Sequence, residues 1–301
     1  MRKQRYLTLE KRLSVPLWTK LAVPLASIVA GFLFSAIFLL ISGESSIEVY
    51  SVMFEGAFGS AYGLSETVVK MIPLMIISVG VAFAFKMQIW NAGGEGQLHI
   101  GAAAATYVVL HLNGCSRFVT VLLAFLAAFI CAGIYGLIPA ILKVKWKVNE
   151  LITCLMLNYV ATFFVSWLIQ GPWKDPTGFA FPRTRKIPSA GELTTFFGTR
   201  IHTGLIIGLV IALALWFVIY KTRWGFEIKL IGAKEKVARY AGMSVNRNIL
   251  LVMFLSAGIA GVAGMVEICG ITHRLQANFA SQLGSSEYFA CLIENISNDI
   301  Q

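Results

Sequence analysis

Charged residues are scarce in this sequence. Asp, Glu, Lys and Arg make up 13% of its 301 residues, whereas hydrophobic residues make up 57%. A soluble globular domain carries about 25% charged residues, so the composition excludes an ordinary water-soluble domain. Several windows contain almost no charge over about 20 residues, which is the helix length that crosses a hydrocarbon core about 30 Å thick. The sequence therefore predicts a membrane protein.

These windows also lack the alternation of apolar and polar residues that marks membrane β-strands. Backbone groups inside lipid must be hydrogen-bonded within the protein, which leaves helices as the spanning elements. We predict an all-α, polytopic integral membrane helical bundle with about seven spans. We place the spans at residues 21–41, 71–85, 97–112, 118–142, 148–169, 203–220 and 249–267. The first run lacks a small-residue cleavage site, so we expect a retained span rather than a signal peptide.

Motifs for catalysis, cofactors and metals are missing as well. The five cysteines are scattered and form no Cys-x-x-Cys pair, which argues against a metal site and a disulfide framework. The chain has no Gly-x-x-x-x-Gly-Lys-Ser/Thr loop, so we expect any ATP to be hydrolysed by another subunit. The four histidines form no His-Glu-x-x-His site. We expect no catalytic residue, cofactor or metal, and an intramembrane enzyme is the weaker alternative.

Basic residues exceed acidic ones by 25 to 15, and they gather at the ends of the apolar runs. This pattern indicates membrane orientation rather than a nucleic-acid partner. It predicts a cytoplasmic tail at 1–20, a cytoplasmic loop at 221–247, external segments at 42–67 and 170–200, and a carboxyl terminus outside. The 170–200 segment conflicts with the rule because five basic residues outnumber two acidic ones there. Its four prolines predict an irregular loop that a soluble partner contacts.

The first unusual segment is polar and rich in glycine, yet lies between two apolar runs. It predicts a broken or re-entrant segment near residues 86–97. Glycines permit a non-helical backbone there, and polar side chains at membrane depth must face protein or a water-filled path. The residues can line or gate a solute path, or form a tight cytoplasmic turn. They are Asn91, Gly93, Gly94, Glu95, Gly96 and Gln97.

A second group lies at the start of the fifth predicted span. Asn149 can cap that helix, with Glu150 favourable in its first turn, and a transport role is an equal alternative. Asn158 lies deep enough to need a hydrogen-bonding partner, either another helix or the solute. Tyr159 is beside it.

The third segment is the basic loop 221–247. Residues 234–241 are expected to form a short helix with Val237, Ala238 and Ala241 on one side, ended by Gly242. A helix this short is marginal alone, so it docks on a partner or lies on anionic membrane lipid.

These three segments resemble the permeases of ABC importers for simple sugars and nucleosides, within the branched-chain amino acid-like permease family. The resemblance covers residues 21–284 and is carried by Asn91-x-Gly93-Gly94-Glu95-Gly96-Gln97, Val148-Asn149-Glu150, Leu157-Asn158-Tyr159, Gly225-Phe226-Glu227, Gly232-Ala233 and Ala238-Arg239-Tyr240-Ala241-Gly242. It implies an inner-membrane permease with a second permease subunit, cytoplasmic ATP-binding subunits and an external solute-binding protein. It also implies that the basic loop couples to the ATPase through Gly225, Phe226, Glu227, Gly232, Ala233, Val237, Ala238, Tyr240 and Gly242. A nucleoside is the first expectation for the solute and a simple sugar the second.

The sequence departs from this family after about residue 284, because residues 285–301 are too polar to span. We expect one permease domain over 1–301 with a truncated or frameshifted tail, so a non-functional truncated permease is one alternative. The other is an ion-coupled secondary transporter. It is disfavoured because the predicted spans contain almost no titratable groups beyond Glu150 and Glu267 at their ends.

Overall fold

A computed structural model describes residues 17–112, 114–178, 182–196, 198–276 and 279. Its helices are α1 Leu17–Ile41, α2 Ser46–Phe58, α3 Ala61–Phe85, α4 Gly94–His111, α5 Arg117–Trp146, α6 Glu150–Gln170, α7 Gly204–Lys221, α8 Arg223–Ala233, α9 Glu235–Tyr240 and α10 Val245–Glu267. A 3₁₀ turn at Ser189–Gly191 and a π-helical turn at Ile268–Thr272 complete the set. The predicted all-α bundle is confirmed. The expectations for most of the tail 1–20 and for residues 285–301 lie outside the described residues.

Every predicted span falls on a helix, but the helices differ in membrane character. Among the described residues, five are long and apolar enough to cross a membrane: α3, α5, α6, α7 and α10 with its π-helical extension. Helix α1 contributes a shorter apolar stretch, Leu25–Ile41. Helix α4 begins with a polar, glycine-rich turn and is surrounded by α5, α6 and α10 rather than by lipid.

The segment 42–67, which we expect to be external, is mostly helical. Helix α2 occupies half of it, and α3 begins ten residues before the predicted start. Ser60 explains the early start, because its hydroxyl accepts a hydrogen bond from the N–H of Gly63 at 2.9 Å and so caps the helix. As a result, Glu66 and Lys70 lie inside a helix of 25 residues.

Helix α10 is the centre of the bundle and packs against α3, α4 and α5. Its small residues let these helices approach closely. One such approach is between Gly101 of α4 and Gly261 of α10, where a Cβ on Gly101 would lie 2.3 Å from the Cα of Gly261. Neither position can carry a side chain without moving a helix.

One end of the bundle, here called the loop end, is closed by residues 171–203. The loop pairs with the chain that follows α10, because the Thr184 N–H donates to the Leu275 carbonyl at 3.0 Å. It also reaches α3, where Arg200 and Glu66 form an ion pair at 3.0 Å. The opposite end, here called the basic end, carries α8 and α9. Helices α3 and α10 therefore run antiparallel.

The outer surface of the bundle is apolar. Helix α7 buries only 17% of its apolar window, and α1 packs mainly on α2, where Tyr50 donates to the Phe32 carbonyl at 2.6 Å. An apolar surface with internally bonded helices is what a hydrocarbon environment requires.

The contact between Gly101 and Gly261 generates a stability prediction. Gly101→Ala should destabilise the protein by roughly 1–3 kcal/mol, since even a methyl group overpacks this crossing. Gly31→Ala is the matched control in α1, because no atom lies within 4 Å of the added Cβ. Thermal unfolding in detergent measures both variants. Equal melting temperatures would contradict the packing described here.

Candidate functional site

The chain leaves the helical conformation between α3 and α4, at residues 86–93. Gln88 has a left-handed φ of 57°, and the helix resumes only at Gly94. The break lies at the basic end, beside the buried part of α10. The polar groups of its buried residues need partners within the protein.

Two carboxamides supply partners for the break. The Nδ2 of Asn91 donates to the Oε1 of Gln97 at 3.0 Å, and the Nε2 of Gln97 donates back to the Oδ1 of Asn91 at 2.8 Å. Asn91 also donates to the Ser256 hydroxyl at 2.8 Å, which links the break to α10. The two side chains are 1% and 2% exposed, so their hydrogen bonds lie inside the bundle. A role for them in the solute path stays a prediction.

Asn158 joins the break to α6. Its Oδ1 accepts from the Gly96 N–H at 2.9 Å, and its Nδ2 donates to the Ala92 carbonyl at 2.9 Å. A side chain at Gly96 would prevent this contact, because its Cβ would lie 2.8 Å from the Asn158 Oδ1. Asn158 therefore holds two segments together, as one of the two predicted roles requires. The neighbouring Tyr159 is 63% exposed and lies on the other side of α6.

Glu95 differs from the other residues of the segment. It is half-buried, whereas Gly93, Gly94, Gly96 and Gln97 are buried. Its carboxylate lies in the first turn of α4, where the helix dipole favours negative charge. Of the predicted path residues in this segment, Glu95 is the one best placed to meet a solute.

Asn149 and Glu150 lie at the start of α6. Asn149 caps the helix, since its Oδ1 accepts from the Leu151 N–H at 2.9 Å. Glu150 forms an ion pair with Lys143 at the end of α5. Both line a cavity of about 310 Å³ that reaches Glu235 and Arg239 of α9. The cavity thus places the start of α6 beside the basic loop.

The basic loop is more ordered than the sequence predicted. It contains α8, which was not predicted, and α9, which lies within the predicted 234–241. Helix α8 holds the predicted coupling residues Gly225, Phe226, Glu227, Gly232 and Ala233. Gly242, with a φ of +77°, follows α9 as expected.

Helix α8 is fastened to the bundle by polar and close contacts. Trp224 donates to Asn248 at 2.7 Å, and Asn248 donates to Glu227 at 2.9 Å. A Cβ on Gly232 would lie 2.4 Å from the Lys86 carbonyl oxygen, so α8 packs directly against the first residue of the break. A movement of α8 would therefore act on the break.

The expected cluster of Val237, Ala238 and Ala241 on one side of α9 is wrong. Ala238 is 0% exposed because it packs against the rest of the chain, so it does not face a partner. The exposed apolar side chains are Phe226 at 61%, Val237 at 45% and Tyr240 at 92%.

Sequence reasoning missed a buried histidine at the loop end. His202 is fully buried, accepts from the Gly204 N–H at 3.2 Å and packs against Gly270. Burial lowers its pKa to about 4, with smaller contributions from His273 and Arg200, so the ring is neutral at pH 7. No motif surrounds it, so only the tertiary packing reveals that it supports the loop.

Comparisons with known proteins agree on one family. The family described as "Branched-chain amino acid transport system / permease component" matches residues 63–294. The guanosine ABC transporter permease protein NupP of Bacillus subtilis (strain 168) is 35% identical, over 83% of this chain and 72% of the relative. The glucose ABC transporter permease protein TsgB13 of Haloferax volcanii is 33% identical, over 92% and 76%.

The nucleoside ABC transporter permease protein NupB of Lactococcus lactis subsp. cremoris is 31% identical, over 88% of this chain and 74% of the relative. No solved structure gives a significant match.

Asn158 generates the second prediction. Asn158→Ala should leave the Gly96 N–H and the Ala92 carbonyl without their buried partner, at a cost of roughly 1–3 kcal/mol for each group. Thermal unfolding in detergent measures the loss. Phe163→Ala, on the same helix and 71% exposed, is the control and should melt close to the wild type. A melting temperature for Asn158→Ala as high as that of the control would show that the break is held by other contacts.

Proposed function

The chain belongs to the family of branched-chain amino acid transport system permease components, and from this premise we propose that it imports a nucleoside or a simple sugar. It is a multi-pass protein of the cell membrane and the permease component of an ABC transporter, a component that is not itself catalytic. The proposal is supported by three observations together: the family match, the helical bundle, and the packing of the basic loop against that bundle.

The solute class rests on the relatives. Guanosine, nucleosides and glucose are the solutes in their names. These molecules share hydroxyl groups and carry no net charge at neutral pH. A polar, uncharged solute needs hydrogen-bond donors and acceptors along its path rather than a strong field of one sign. We place nucleosides first because two of the three relatives are named for them.

The orientation of the bundle follows from its charges. The basic end is assigned to the cytoplasm, where Lys and Arg accumulate, and the loop end to the outside. Two basic residues of the loop 170–200 are paired, since Arg200 lies 3.0 Å from Glu66 and Lys186 lies 3.2 Å from Glu192. Because the preference counts Lys and Arg rather than net charge, the loop is still an exception to this assignment.

The partners follow from the same assignment. The external solute-binding protein would dock on the loop end, and a second permease subunit, identical or related, would complete the membrane path. ATP-binding subunits would dock on α8 and α9. The exposed aromatic side chains support this docking surface, since aromatic residues contribute a large share of binding energy at protein interfaces.

We define the coupling surface as Phe226, Val237 and Tyr240. All three are exposed in the single chain, and Lys234, Lys236 and Arg239 surround the last two. Tyr240 follows Arg239, whose guanidinium is held by Glu235 at 2.7 Å. The surface thus combines apolar anchors with the neighbouring positive charges of Lys234 and Lys236, which suit an acidic cleft of a partner.

This surface generates the third prediction. Tyr240→Ala should weaken binding of the ATP-binding subunits by about 2 kcal/mol, or roughly 30-fold, if Tyr240 is an interface anchor. Affinity purification from membranes in mild detergent, with quantification of the copurifying ATP-binding protein, measures the effect. Tyr62→Ala is the matched control, because Tyr62 is 69% exposed but lies at the loop end.

The two variants should differ in copurification but not in membrane abundance. Equal copurification from both would contradict the coupling surface, and absence of any ATP-binding protein from the wild type would contradict the proposed function itself.

A further inference from the structure

Lys70 is a charged residue at an unexpected depth. It is the tenth residue of α3, about 13 Å along the helix from its first residue at 1.5 Å per residue. Its side chain is exposed on the surface of the single chain. Charged side chains at membrane depth are costly and occur mainly where they face protein or water. Protein or water against this face of α3 would lower that cost.

Glu267 lies at the same level on the central helix. A Cβ on Gly80 of α3 would lie 3.1 Å from the Ser256 carbonyl and from Ile259 of α10. Because the helices are antiparallel, moving eight residues forward from Ile259 and eight residues back from Gly80 reaches the same level of the bundle. These steps lead to Glu267 on α10 and to position 72 on α3, two residues from Lys70. Glu267 is 8% exposed, so its side chain lies inside the bundle. At this level the bundle therefore has an acidic residue in its interior and a basic residue, Lys70, on its surface.

Both helices are irregular at this level. Pro73 lies within α3 and has no N–H, so the Val69 carbonyl lacks its usual helical donor. Helix α10 changes to π-helical geometry at Ile268, directly after Glu267. Such π-turns are frequent at functional sites. The interruption at Pro73 and the π-helical turn after Glu267 both lie close to the level of Lys70. These two irregularities are a second, independent sign of a functional site.

A groove between α2 and α3 opens beside Lys70. Its volume is about 500 Å³, within the range of 300–1,000 Å³ typical of small-molecule sites. Three polar residues of α3, Glu66, Thr67 and Lys70, line the groove. Lys70 lies four residues after Glu66 and three after Thr67, so all three share one face of the helix. The complete lining is Gly56, Gly63, Glu66, Thr67, Lys70, Met71 and Leu74.

We propose that this groove is a water-filled part of the solute path, in which Glu66 and Lys70 contact a neutral, hydroxyl-bearing solute. The inference rests on the proposed import function and adds the residues that would contact the solute. The Glu66 carboxylate, which also accepts from Arg200, and the Lys70 ammonium supply acceptors and donors for hydroxyl groups.

Snorkelling is the main rival explanation for Lys70. A long side chain can reach from a lipid-facing Cβ to the interface and keep only its ammonium in water. A cysteine at the same position is short and reports on the environment near the Cβ. Water around that cysteine would indicate a water-filled path, whereas lipid around it would indicate a snorkelling lysine.

Cysteine labelling in intact cells tests the proposal, with the five native cysteines replaced by alanine. Lys70→Cys and Thr67→Cys should react with a membrane-impermeant cationic methanethiosulfonate about 10-fold faster than cysteines in lipid, because the reactive thiolate forms only in water. Phe163→Cys on α6 and Leu213→Cys on α7, at 71% and 66% exposure, are the lipid-facing controls. Thr67→Cys retains Lys70, so it reports on the groove with its lysine in place.

Labelling of Thr67→Cys and Lys70→Cys at the rate of the two controls would overturn the proposal. With the complete transporter present, guanosine or glucose should slow the labelling of both groove cysteines. Fast labelling that neither solute slows would overturn the solute contact. The labelling rate requires only an inserted chain, so it is independent of whether an ATP-binding subunit copurifies.

Discussion

The break between α3 and α4 must satisfy its backbone groups without water, and the arrangement of the central helices follows from this constraint. Asn91 and Gln97 bond to each other, Ser256 ties them to α10, and Asn158 ties the following turn to α6. These bonds require α4 to lie against both helices. Close contact with α10 is possible because Gly101 meets its small residues. The hydrogen bonds of the break and the small-residue packing therefore depend on each other, because both require α4 to lie close to α10.

The same break provides a physical route between the two ends of the molecule. At the basic end, α8 contacts the break through Gly232 and Lys86, and α9 borders the cavity at the start of α6. Asn158 of α6 accepts a hydrogen bond from the Gly96 N–H, so the start of α4 is also joined to α6. A partner that moves α8 and α9 would therefore displace the break and α6 together. This chain of contacts is compatible with ATP-driven transport.

The sequence predicted the fold class, the break and the cap at Asn149, because hydropathy, glycines and capping residues act locally. It misplaced the start of α3 because Glu66 and Lys70 read as loop charges, whereas Ser60 caps a helix that contains both. The burial of Ala238 was also missed, since helical spacing shows which residues share a face but not which face meets the bundle. The groove beside Lys70 depends on how α2 packs against α3, which no local pattern records.

ATP-dependent uptake tests the central claim most directly. The chain would be reconstituted with its copurifying subunits and solute-binding protein in sealed vesicles, with radiolabelled guanosine outside and ATP inside. The account predicts uptake that requires hydrolysable ATP and persists when ionophores collapse the proton and sodium gradients. Uptake that continues without ATP and stops with the ionophores would contradict it, because an ion-coupled carrier would then be moving the solute.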